Sequence, residues 1–336
     1  MATLRKHYGR WQGIVRRVGN KPIYKSFNTK TDARKWCRSM ETKLDRGDYS
    51  DYREANKLTL GNLFKRYLSE NKHKAKKQWR NEEYRVGQLL NDTISDINLL
   101  RFSTKHLAEF RNRRLESVKS ATYNKDFNFI SVVISTAIND WGIYLPHNPC
   151  KMMKRESEPK PRKRVLENDE QSRLIEACAL SENIYLKPMV QFSIETSVRQ
   201  GELLKIKYEH INFKKRLVTL YDTKNGEDRT IPLADNVIEI LKRYPFGETF
   251  FKFRSYDSYK FYFKQACRKA DIDNFRSHDL RACFITNCLL GGMQESEVAK
   301  ISGHKDFRSL SRYVRMKPKD LKEKVNNVVN LKKSIG

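Results

Sequence analysis

No run in this chain approaches the ~18–20 consecutive apolar residues that a bilayer crossing requires, and the first residues, Met1 to Tyr8, lack the apolar stretch of a secretory signal. The expectation is a protein that neither spans a membrane nor is exported. Its six cysteines, Cys37, Cys150, Cys178, Cys267, Cys283 and Cys288, form no C-x-x-C pair and have no nearby His at zinc spacing. A metal site is therefore not expected, and the cysteines read as small buried hydrophobes in a reducing cytosol. There is no internal repeat and no low-complexity segment. Acidic residues are the scarce class: 40 Asp and Glu stand against 68 Lys and Arg, which leaves a net charge of +28. An excess of this size creates a field that attracts polyanions, and releasing counterions from a phosphate backbone rewards it. Solubility alone needs far less imbalance. Nucleic acid is favoured over an anionic membrane, because no basic amphipathic helix with an apolar face stands out at the termini.

What is present divides into segments. A length of 336 residues fits two or three domains of the usual ~100–200 residues, and 38% hydrophobic residues are enough for cores. From Tyr8 to Val18 apolar and polar residues roughly alternate, Gly19 and Asn20 supply a turn, and Ile23 to Phe27 returns, so a hairpin is predicted. A helix follows, capped by Thr29 or Thr31, with Ala33, Trp36, Met40 and Leu44 on one face and a stop near Gly47. Residues 1–55 thus read as a miniature sheet packed by one helix. Arg10, Arg16, Arg17 and Lys25 lie on its strands. Arg beside aromatics suits insertion into a DNA groove; an ordinary solvated sheet face has the same pattern.

Residues 58–150 read as a bundle of four or five helices. Leu60, Leu63, Phe64, Tyr67 and Leu68 form one stripe, and Phe129, Val132, Val133, Thr136, Ala137 and Trp141 another. Basic residues, among them Lys76, Lys77 and Arg80, crowd between the helices. Residues 151–164 read as a basic, proline-bearing linker that includes Arg162, Lys163 and Arg164; two domains joined this way can close around a duplex. Residues 165–316 are mixed, with helices near 168–179 and 185–206, strands near 216–223 and 229–233, and then mostly helices. The fold class is multidomain and mainly α with small β elements. The last segment, 317–336, reads as a tail helix with Leu321, Val325, Val328 and Val329 on one face.

The chemistry-bearing residues fall in the mixed segment. Arg199 and Glu202 stand at i and i+3 on a predicted helix, Lys224 lies beside an Asn-Gly turn in a predicted hairpin, and His278 and Arg281 again stand at i and i+3. Gly303 and His304 follow, then Tyr313. Singly, each is weak: an Arg-x-x-Glu pair is usually a surface ion pair, and a tyrosine usually packs. In this order they resemble the catalytic domain of the tyrosine recombinases of the phage and mobile-island integrase type, in which an R-x-x-E/D helix, a hairpin Lys, H-x-x-R, G-H and a late Tyr succeed one another. The resemblance covers 165–316 well; 58–150 resembles the family's helical core-binding domain by pattern, and 1–55 its arm-binding domain more loosely. Two departures are visible. Ser197 and Val198 stand where the family often has Thr-Gly, and Ala282 and Cys283 where it often has His-Thr.

The resemblance implies a site-specific DNA recombinase that works through a covalent 3′-phosphotyrosine on Tyr313. Arg199 and Arg281 would grip the phosphate, Lys224 would be the general acid, His278 would accept the Tyr313 proton or hold a phosphate oxygen, and His304 would donate to phosphate. Glu202 would orient its neighbours. It further implies double-stranded attachment sites of core and arm type, a homotetramer on DNA, host or phage DNA-bending and directionality proteins, no cofactor and no metal, and a place on the nucleoid in a bacterial host's cytoplasm. The residue chemistry agrees independently. A phenolate, with an ordinary pKa near ~10, can be displaced again, and two guanidiniums can offer paired N–H donors to non-bridging oxygens. The competing readings are a non-catalytic DNA-binding regulator, which would have no use for Tyr313 with both arginines, and a type IB topoisomerase-like relaxing enzyme, which would need no second DNA address.

Overall fold

Tyr8 and Gly9 both have positive φ, 48° and 74°, the backbone of a two-residue hairpin turn, and they reverse the chain between β1 (Ala2–His7) and β2 (Arg10–Val15). The computed structural model describes residues 2–18, 22–49, 51–70, 72–75, 79–160, 162, 164–221, 227–243, 249–306, 310 and 313. The Gly19–Asn20 turn, Lys76, Lys77, Lys163, Lys224 and the tail 317–336 lie outside them. β3 (Ile23–Phe27) pairs antiparallel with the other edge of β2, so the predicted two-stranded hairpin is a three-stranded sheet, and Tyr8 belongs to a turn rather than a strand. β1 escaped the reading because its apolar content is only Ala2 and Leu4, too little to mark a buried face.

The helix α1 (Lys30–Asp45) begins where the Thr29 side chain accepts the Asp32 backbone N–H at 3.1 Å. It packs directly on β2. A Cβ on Gly13 would stand 2.7 Å from Cys37 Sγ, so this central strand position has room for glycine alone. Trp36 meets Phe27 with ring centroids 5.7 Å apart.

Four α-helices follow: α2 (Leu60–Ser69), α3 (Trp79–Leu90), α4 (Thr104–Ser117) and α5 (Ser120–Asn139). Thr59 and Asn62 cap α2 reciprocally. The core joins Leu60, Phe64, Val86, Leu107, Phe110 and Ile130. On α5 the buried face runs through Phe129, Ile130, Val133, Ile134 and Ala137, whereas Val132 is 49% exposed; the predicted stripe therefore included one residue from the wrong side. After α5, the first part of the predicted linker stays with this unit: the Asn124 side-chain amide donates to Glu156 O and Glu158 Oε1, both at 2.9 Å, and its Oδ1 accepts the Glu156 N–H at 3.0 Å. Met1–Pro159 forms one compact unit and Lys160–Gly336 the other.

The second unit holds α6 (Asn168–Ala179), α7 (Leu186–Thr196), α8 (Gln200–Leu203), the sheet β4 (Ile211–Asn212), β5 (Leu217–Leu220) and β6 (Arg229–Pro232), then α9 (Asp235–Lys242), α10 (Tyr256–Lys269), α11 (Asp279–Leu290) and α12 (Glu295–Ser302). Its core packs Met189, Val190 and Phe192 of α7 against Val218, Ile231, Tyr259 and Leu280. The helix predicted over 185–206 is broken. Ser197 adopts φ 55° and ψ 12°, a left-handed backbone that ends α7, and Arg199 is extended at the start of α8.

Candidate active site

The break between α7 and α8 builds one wall of the site. Because Arg199 is the N-cap of α8 and Glu202 is its third residue, the pair is joined through a helix start and not along a helix face as the spacing predicted. The Arg199 backbone N–H donates to Glu202 Oε2 at 3.2 Å and its Nη1 to Oε1 at 3.0 Å. The second Arg199 nitrogen, Nη2, donates to Gly303 O at 3.1 Å. Glu202 is buried, and its carboxyl lies below the ordinary carboxylate range: burial pushes it up, but the bonds and charge of Arg229, then of Arg199, outweigh that.

Arg281, buried one turn into α11, faces the same place. Its Nη1 donates to Ser197 O and its Nη2 to Ser302 O, each at 2.6 Å. Burial first, then the charges of Arg199 and Arg229, push the guanidinium down to about 9. Three guanidiniums, Arg199, Arg229 and Arg281, thus face a single carboxylate, and the surplus of positive charge suits an anion.

His304 sits on the turn after α12, half-buried. Its Nδ1 lies 3.3 Å from Arg281 Nη2 and 2.6 Å from Ser302 Oγ. Ser302 Oγ, which itself donates to Val298 O at 2.6 Å, holds the Nδ1 edge of the ring beside Arg281. Gly303 makes this turn possible at φ 67°. The Tyr313 ring lies 6.3 Å from the His304 ring and packs on Ile285, Leu289, Val298, Ala299 and Leu310, with its backbone N–H bonded to Leu310 O at 2.8 Å. His278, the N-cap of α11, is exposed. Arg199, Glu202, Arg281, His304 and Tyr313 therefore converge, His278 stands at the adjacent helix start, and Lys224 falls outside the described residues. Sequence reasoning missed Arg229, which reaches Glu202 across 27 positions, and Ser302; no local spacing announces either. Among the described residues, no group of three His, Cys, Asp or Glu could hold a metal ion, and no helix is long and apolar enough to cross a membrane.

The DNA-contact candidates scatter. The strand register puts Arg10 on the sheet face opposite α1, in company with Arg5 and Gln12, whose side chains bond at 2.9 Å; Arg5 was missed together with β1. Lys25 shares its register row with Gly13, on the α1 side, and lies 5.6 Å from the Phe27 ring. Arg17 pairs with Asp45, and Arg16 is exposed. Arg80 is exposed beside the Trp79 ring. Arg162 and Arg164 are engaged internally: Arg162 bonds Asn274 and Asp279 (3.0 Å to Oδ2), and Arg164 holds Glu170, whose carboxyl it lowers.

Comparison with known proteins follows the same residues. Positions 164–320 match the phage integrase family. A putative integrase/recombinase of Haemophilus influenzae is 31% identical over 92% of this chain and 86% of its own length. Lambda integrase, solved as a dimer bound to a core site, shares the fold with a TM-score of 0.67 at 20% identity, over 94% of this chain and 96% of that one. The same integrase as a tetramer bound to a Holliday junction gives a TM-score of 0.64 at 19% identity, over 90% of this chain and 95% of that one. The protein belongs to the phage integrase family, whose members are tyrosine-type site-specific recombinases.

Proposed function

We propose that this protein integrates or excises phage or mobile-element DNA by cutting and rejoining it through Tyr313. The observation that carries the reading is the convergence of two guanidiniums and an imidazole beside the Tyr313 ring. Tyr313 Oη attacks the phosphorus and gives its proton to His278; the new P–O bond forms as the bond to the 5′ oxygen breaks. Lys224 protonates that leaving oxygen. Arg199 and Arg281 hold the non-bridging oxygens, and His304 donates to one of them. Losing one such donor commonly costs ~3 kcal/mol in the transition state. The phosphotyrosine stores the bond energy, so the reverse attack by a 5′-hydroxyl reseals DNA without a nucleotide cofactor.

In this reading residues 1–55 bind arm-type sites, 58–150 and 165–316 bind and cut core sites across the 151–164 linker, and the 317–336 tail docks on a neighbouring protomer of a DNA-bound tetramer. Host or phage DNA-bending and directionality proteins join the complex on the nucleoid in a bacterial cytoplasm. The test is a duplex nicked next to the cleavage point, which traps the covalent species. Wild type should form a protein–DNA adduct that Tyr313→Phe abolishes, and it should join two defined sites. No adduct means a DNA-binding regulator; an adduct with relaxation but no joining means a topoisomerase-like enzyme.

A further inference from the structure

Arg229, at the start of β6, carries none of the family roles assigned above, yet both of its Nη groups are spent on the site's one carboxylate. Its side chain is 12% exposed. Nη2 donates to Glu202 Oε2 at 2.7 Å and Nη1 to Oε1 at 3.3 Å, a two-pronged grip on one carboxylate. With the Arg199 contacts, each Glu202 oxygen then has two donors. The carboxylate is saturated, and of the Arg199 guanidinium only Nη1 is spent on it. Without Arg229, only the bond to Gly303 O would hold Arg199 Nη2 back from the same two-pronged pairing with Glu202.

Arg229 also lies against the turn that presents His304. A Cβ on Gly303 would stand 2.9 Å from Arg229 Nη1 and 3.1 Å from its Cζ, so the bare Cα of Gly303 is what admits the guanidinium. Gly303 O is the same group that accepts Arg199 Nη2. At the surface, Lys305 Nζ and Glu227 Oε1 join the same two segments at 2.8 Å. Arg229 Nε is buried with no partner among the described residues, a cost the site bears to keep both Nη groups on Glu202.

We infer that Arg229 is a positioning residue for strand transfer: it occupies Glu202 so that Arg199 stays open to phosphate, and it fixes the strand that follows Lys224 against the Gly303–His304 turn. The inference rests on the reading of Arg199 as a phosphate clamp. The experiment is the single-turnover rate of adduct formation on the nicked duplex, followed against pH, for full-length wild type, Arg229→Gln, Glu202→Gln and the double variant, with DNA affinity and Tm measured alongside. Arg229→Gln should slow the adduct step at least tenfold while DNA affinity stays within about twofold. Ionised Glu202 is lost as pH falls through its pKa. Removing Arg229 removes the main downward pull on that carboxyl, so the acid-side fall in rate should begin at higher pH than in wild type. The double variant should be no slower than Glu202→Gln alone, since both changes break one contact. An unchanged rate and unchanged acid limb in Arg229→Gln, or losses that multiply in the double variant, overturn the inference. Absence of adduct in wild type instead overturns the clamp reading itself.

Discussion

Ser197 is fully buried at φ 55°, with its Oγ unpartnered among the described residues, and its carbonyl accepts Arg281. The backbone needs the left-handed turn because an uninterrupted helix would carry Arg199 away from Gly303. An L-residue in that region costs ~1–2 kcal/mol, and an unpaired buried hydroxyl adds to it. Ser197→Gly removes both penalties and gives back part through glycine's larger unfolded-state entropy. We expect a net stabilisation of about 1 kcal/mol, read as a higher urea midpoint at unchanged slope. The sequence showed that the family's frequent Thr-Gly is replaced here; it did not show that Ser197 bears the strain, because φ at one residue is set by what must meet on either side of it. Arg281 was legible as a cation but not as a structural tie between Ser197 and Ser302.

At the scale of elements, Asp126 of α5 is the clasp of the helical region. Its side chain is 5% exposed and accepts Arg85 Nε of α3 at 2.8 Å and Arg114 Nε of α4 at 3.0 Å. Asp126→Ala leaves two guanidiniums, each about a fifth exposed, without their anion. Since partial exposure screens them, a loss of about 2 kcal/mol is expected, well below the ~3–5 of a fully buried pair. Chemical denaturation of the full chain should show it, and Asp126→Asn, which keeps an acceptor oxygen, should lose less. The helices themselves were readable because 3.6-residue periodicity survives in α1, α2, α5 and α6. β1 and the α7–α8 break were not, since an edge strand with two apolar residues and a helix broken at a buried serine leave no periodic trace.

At the scale of the whole molecule, a net charge of +28 means that affinity for DNA should fall steeply with salt. Not every cation is open to DNA: Arg17, Arg85, Arg113, Arg114, Arg162 and Arg164 all pair with carboxylates. On the sheet face opposite α1, Arg5 and Arg10 are both exposed. Replacing both by Ala should lower the slope of log affinity against log salt by about 2 on arm-type DNA if each meets a phosphate. The adduct rate on a core-only nicked duplex should not change. An unaltered slope on arm-type DNA would remove that face from the DNA surface.

The sequence by itself determined the polyanion-seeking charge, the helical majority and the order of Arg199, Glu202, Arg281, His304 and Tyr313, because composition and ordered spacing are properties of the chain alone. Only the tertiary structure decided that Arg229 shares Glu202 and that Gly303 must lack a Cβ. Those facts depend on atoms 27 to 104 positions apart being brought to hydrogen-bonding distance, which no local pattern encodes.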